Sequence, residues 1–175
     1  VGGLTSLGAI FSNGDGRDNV SLSGTNAAVL LRASGDIGTE TDRLVLNAAT
    51  AAIDSMRGDV FLSSGRTLHV TSGTATLGAF SLIGVATLTL DTLNAGMSID
   101  VRSTGGAVNL GTVMSGGSQT IRAAGDIIFA SLTAGGTGSD VGNIDVTADT
   151  GAIQGGTVSA HGSASLTAAT DNKGT

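Results

Sequence analysis

Cysteine, proline, tryptophan and tyrosine are all missing from this 175-residue chain, and charged residues make up only 13% of it. The absence of Cys excludes disulfides. It also suits a chain that must cross an outer membrane unfolded. The absence of Pro fits a chain made almost wholly of paired strands, because Pro cannot donate to a β-ladder. Phe is the only aromatic, with four copies, which fits an interior narrow enough for Val, Ile, Leu and Ala to fill. Eight Lys and Arg against a net charge of −6 argue against nucleic acid as a partner, since phosphate recognition needs clustered cations. No apolar run reaches the roughly 18 residues that would span a membrane, so membrane insertion is not expected. Scarce charge with a mean hydropathy of +0.31 also argues against disorder, because there is apolar surface to bury. The chain starts at Val1 and shows no positively charged, apolar-cored leader, so it reads as a piece of a longer protein.

What is present is glycine, 29 residues of it, and a repeat. Val108 to Ser115 (VNLGTVMS), Ile127 to Ala134 (IIFASLTA) and Ile153 to Ala160 (IQGGTVSA) share one pattern: a branched aliphatic residue, a second aliphatic five positions on, and a small residue two after that. Leu88 to Ala95 (LTLDTLNA) is a fourth copy, and Leu68-His69-Val70 opens another 20 residues earlier. A second family interleaves: Phe80-Ser81-Leu82, Ile99-Asp100-Val101, Ile121-Arg122-Ala123, Ile144-Asp145-Val146 and Ala164-Ser165-Leu166. These triplets alternate apolar and polar, the mark of a half-buried strand. Gly35-Asp36-Ile37, Gly58-Asp59-Val60 and Gly125-Asp126-Ile127 read as one bend recurring in three repeats, with Gly supplying backbone angles that other residues adopt at a cost.

Units that recur in this way stack, because none can bury its apolar face alone. The expected fold is therefore all-β: a single right-handed parallel β-helix over residues 1–175. It would have about eight rungs of three short strands, advance about 4.8 Å per rung, and reach roughly 40 Å in length. Two stretches lack alternation and are expected to be insertions: 47–57, read as a loop or short helix, and 135–142. Aligning Ile99, Ile121 and Ile144 places Asp100, Arg122 and Asp145 in one outward column of alternating charge.

The units IRAAGDIIFASLTAGG (121–136) and IDVTADTGAIQGGTVSAHG (144–162) resemble the degenerate repeats of filamentous haemagglutinin-like exoproteins, the large adhesins secreted by the two-partner route of Gram-negative bacteria. The resemblance covers residues 99–170, and Leu31-Arg32-Ala33-Ser34-Gly35-Asp36-Ile37 nearly copies residues 121–127. It implies a β-helical shaft of a secreted or cell-surface fibre acting in attachment. The parent chain would have an outer-membrane secretion partner, and a host-cell receptor or glycan as a further partner. The family's secretion domain carries Asn-Pro motifs, and this Pro-free chain has none.

The candidate sites are few. Arg57-Gly58-Asp59 is an RGD tripeptide, the sequence integrins read on exposed loops, although the recurring bend already accounts for Gly58 and Asp59. Asn13 to Val20 (NGDGRDNV) approximates a calcium-binding nonapeptide but has no adjacent copy to share an ion. His69 and His161 are the only histidines, and neither has a partner at metal-ligand spacing. Thr87-Leu88-Thr89 hints at the threonine ladders of ice-binding β-helices, but the next rungs break the array. No catalytic, cofactor or metal residue is assigned, and a monomeric, non-enzymatic segment is expected. Two alternatives are the passenger of a one-chain autotransporter and a polysaccharide-active β-helix enzyme. The latter would need clustered Asp, Arg or Lys and usually aromatics for sugar stacking, whereas the carboxylates here are scattered.

Overall fold

A computed structural model of the chain describes residues 2–12, 19–22, 27–135 and 141–169. Among these residues the regular elements are all strands. They are β1 (Gly2–Ser6), β2 (Val20–Ser21), β3 (Ala28–Ala33), β4 (Leu44–Asn47), β5 (Thr50–Ser55), β6 (Val60–Ser64), β7 (Leu68–Ala75) and β8 (Phe80–Gly84). They continue as β9 (Leu88–Ala95), β10 (Ile99–Ser103), β11 (Val108–Ser115), β12 (Gln119–Ala123), β13 (Ile127–Ala134), β14 (Ile144–Ala148), β15 (Ile153–Ala160) and β16 (Ala164–Ala168). Successive strands alternate between two eight-stranded sheets, A with the odd-numbered strands and B with the even-numbered ones. Each strand pairs in parallel with the strand two places along the chain. The chain therefore coils as a parallel β-solenoid of about seven turns.

Sheet A is bent. β7 and β9 bury residues in the pattern in, out, in, out, out, in, out, in. Two successive outward residues, such as Asp91 and Thr92, cannot occur in a straight strand whose side chains alternate. The strand turns a corner there while the ladder to its neighbours continues past it. The three short strands expected per rung are thus two, one of them folded around a corner.

The core is a set of aliphatic columns. Leu68, Leu88, Val108 and Ile127 stack in register in sheet A, and Leu82, Val101, Ile121 and Val146 in sheet B, all essentially inaccessible. Burying each such side chain favours folding by about 1.5–3 kcal/mol. The two buried phenylalanines, Phe80 and Phe129, each lie against a glycine. A Cβ on Gly73 would collide with the Phe80 ring and Leu93, and a Cβ on Gly155 with the Phe129 ring. The small residue closing each sheet A strand faces inward too. Where it is Ser, its hydroxyl ties down the following bend, as Ser55 Oγ does by donating to Gly58 O (2.9 Å) and Ser115 Oγ to Gly117 O (2.6 Å).

Several expectations fail in detail. Residues 47–57 are not an insertion: Thr50–Ser55 is strand β5, paired with β3 and β7. Its alanines fill the two faces of a strand as readily as a helix, and Ala51 and Ile53 point into the core. The excursion lies just upstream at residues 38–43. There Gly38 adopts a φ of 71°, and Asp42 N donates to Thr39 Oγ1 at 3.0 Å. The second expected insertion, 135–142, lies mostly outside the described residues; Gly135 leads into it with a φ of 79°. The register of sheet B also differs. Ile99 pairs with Gln119, and Ile121 pairs with Val101 and Val146. Thr120 therefore lies between Asp100 and Asp145 in one column, while Arg122 lies between Arg102 and Thr147 in the next. A slip of two residues keeps every side chain on its own face, so alternation alone cannot detect it.

Candidate functional site

The RGD tripeptide sits in the tight bend between β5 and β6. Gly58 is buried there, Asp59 half-buried and Arg57 exposed. Gly58 N donates to Ser55 Oγ at 3.1 Å, and a Cβ on Gly58 would strike the Asp36 backbone nitrogen and carboxylate. The Asp side chains link one rung to the next: Asp59 N donates to Asp36 Oδ1 (2.8 Å), and Ala79 N donates to Asp59 Oδ1 (2.7 Å). Asp126 repeats the device, accepting from Ala152 N at 2.9 Å. The bend carboxylates thus satisfy backbone N–H groups that the corner would otherwise leave unpaired. Only Arg57 and one Asp59 oxygen remain outside these bonds.

The other sequence candidates do not converge. His69 pairs with Asp91 (Nε2 to Oδ2, 2.8 Å) at the outward corner of sheet A. His161 is exposed in the turn after β15. Among the described residues no three His, Asp or Glu lie close enough together to hold a metal ion. Of the calcium-like stretch, residues 13–18 lie outside the described residues. Asn19 Oδ1, at its edge, accepts from Val45 N at 2.7 Å. The expected charge column is replaced by a single exposed pair, Arg122 to Asp149 at 2.9 Å, and the hydrogen bond to that carboxylate raises the Arg122 pKa.

Two polar constellations escaped the sequence reading. Arg43, at the end of the 38–43 excursion, lies across the outside of sheet B. Its guanidinium stands 5.5 Å over the Phe61 ring, and Nη1 donates to Ser81 Oγ (3.0 Å) and Leu62 O (3.3 Å). Burial lowers its pKa against the opposing pull of Asp100 and Glu40. The charged, non-alternating run Thr39-Glu40-Thr41-Asp42-Arg43 was the available signal. The second is a groove of about 270 Å³ on the outside of sheet A, lined by Leu30, Arg32, Ala52, Asp54, Ser72 and Thr74 with the Ile53 backbone stretch beneath. Arg32 Nε lies 3.2 Å from Asp54 Oδ2. Reading 47–57 as a loop hid this pair, because Asp54 was then on no strand.

No family model, curated protein or solved structure matches the chain.

Proposed function

We propose that this chain is a non-enzymatic shaft segment of a secreted, filamentous haemagglutinin-like surface protein, wound as a right-handed coil of about eight rungs. Its work is mechanical and presentational: stacked rungs hold an adhesive or otherwise active region of the parent protein away from the cell. The observation that supports the reading best is the unbroken order of parallel strands in both sheets, carried by units such as IRAAGDIIFASLTAGG that resemble the repeats of that family. The parent chain would leave the cell through an outer-membrane partner and meet a host receptor or glycan outside.

Binding of the purified chain to epithelial cells tests it, beside Asp59→Ala and Asp59→Asn. Asparagine keeps the oxygen that Ala79 N needs and removes only the charge; alanine removes both. Binding lost in both variants would make the RGD a receptor site. Binding kept in both would place the adhesive surface elsewhere on the rod, and no binding at all would make the segment a spacer. Depolymerisation of acidic polysaccharides by the chain would contradict the reading and favour a β-helix enzyme.

A further inference from the structure

The outward face of sheet A beyond its corner is almost free of charge. One column on it runs Arg32, Asp54, Thr74, Asn94, Met114, Thr133 and Ser159. The neighbouring column contains Thr92, Thr112, Ser131 and Thr157 in register. Arg32 and Asp54 are the charged residues of these columns, and they sit where the ladder is irregular. Between β5 and β7 the register shifts: Ala51 faces Val70 but Ala52 faces Ser72, so Thr71 is an extra residue. A bulge bends its strand and re-aims side chains, and bulges recur beside binding sites. Here it coincides with the groove.

An ion pair this exposed, with side chains 56% and 35% accessible, contributes little to holding a sheet together. Its chemistry suits a ligand better. The guanidinium offers N–H donors, the carboxylate offers acceptor oxygens, and their charges cancel. Ser72 and Thr74 add hydroxyls that donate or accept. Leu30 and Ala52 supply an apolar patch on the same wall. A small concave surface with an apolar patch and a few convergent polar groups is the ordinary form of a ligand site.

We infer that this groove binds a neutral sugar ring. Adjacent hydroxyls of the sugar bridge the Asp54 carboxylate and the Arg32 guanidinium, and its C–H face rests on Leu30 and Ala52. The inference deepens the adhesive reading by giving the shaft a glycan site, and it rests on that reading only for its biological setting. The test is an NMR titration of the whole chain with methyl glucoside, methyl galactoside and methyl mannoside, with glucuronate as the charged comparison. At least one neutral glycoside is expected to shift amide resonances at 30–32, 52–54 and 72–74, with a dissociation constant on the order of millimolar. Arg32→Gln and Asp54→Asn should each weaken this by about tenfold or more. Asp91→Asn, which removes the charge from the His69 pair near the corner, should not. Absence of shifts, shifts elsewhere on the rod, equal binding by the groove variants, or tighter binding of glucuronate would each overturn the inference. Sugar binding without cell binding would leave the groove on a segment that is otherwise a spacer; cell binding without sugar binding would overturn the groove and place the adhesive surface elsewhere on the chain.

Discussion

Gly58 is hemmed in by the preceding rung: the Asp36 nitrogen and carboxylate and the Gly35 carbonyl carbon occupy the space where a Cβ would go. The obstruction is mostly backbone, which cannot rotate away as a side-chain tip can. Gly58→Ala is therefore expected to cost about 1–3 kcal/mol, read by urea unfolding. A cost near zero would mean the bend is looser than described. Ile121 and Arg122 are neighbours with opposite expectations. Ile121 is 1% exposed between Val101 and Val146, so Ile121→Asp puts an unpaired charge into an apolar column and should leave the chain unfolded or aggregated. Arg122 points outward to Asp149, and Arg122→Ala should leave the melting temperature unchanged; a soluble, fully stable Ile121→Asp would refute the inward assignment. Gln119 is the odd residue of its column, buried between Ile99 and Ile144. Its Nε2 donates to Thr133 O at 2.6 Å, while Oε1 finds no partner among the described residues.

The repeat that opens on a branched aliphatic residue was legible in the sequence. Val108–Ser115, Ile127–Ala134 and Ile153–Ala160, read there as repeat stretches, each stand in the fold as one strand carried around a corner. β5 was not legible because Ala48, Ala49, Ala51 and Ala52, two of them just before the strand and two inside it, blur the contrast between its faces, and helix and strand then look alike. The register of β12 was misread for a different reason. Gln119 occupies an inward position, so the eye fixes on Ile121 as the first apolar residue and slips the strand by two. Cysteines can be added to decide this, since the chain has none of its own. Asp100→Cys with Thr120→Cys places the pair on facing positions about 4.8 Å apart, within disulfide reach. Asp100→Cys with Arg122→Cys places them about 8 Å apart, beyond it. Oxidation should cross-link the first pair and leave the second as free thiols; the opposite pattern would restore the alternating charge column. The groove at Arg32 and Asp54 was invisible for the same reason as β5, because it exists only once both strands are paired and the Thr71 bulge is in place.

Over the whole molecule, each rung touches little beyond the rungs before and after it, so stability and stiffness pass along the coil from neighbour to neighbour. That is the property a shaft needs. It also makes the account vulnerable at one point: the stacking must be regular from one end of the described coil to the other. Ser63, Ile83, Arg102, Arg122, Thr147 and Thr167 form one outward column of sheet B, each in register with the next. Spin labels placed in pairs at Ser63 and, in turn, Arg122, Thr147 and Thr167 measure that column directly. The account predicts narrow distance distributions whose centres lengthen by about 4.8 Å per rung, from about 14 Å to about 24 Å. Broad distributions, or a distance that stops growing between Arg122 and Thr167, would contradict a rigid parallel coil and the shaft reading with it.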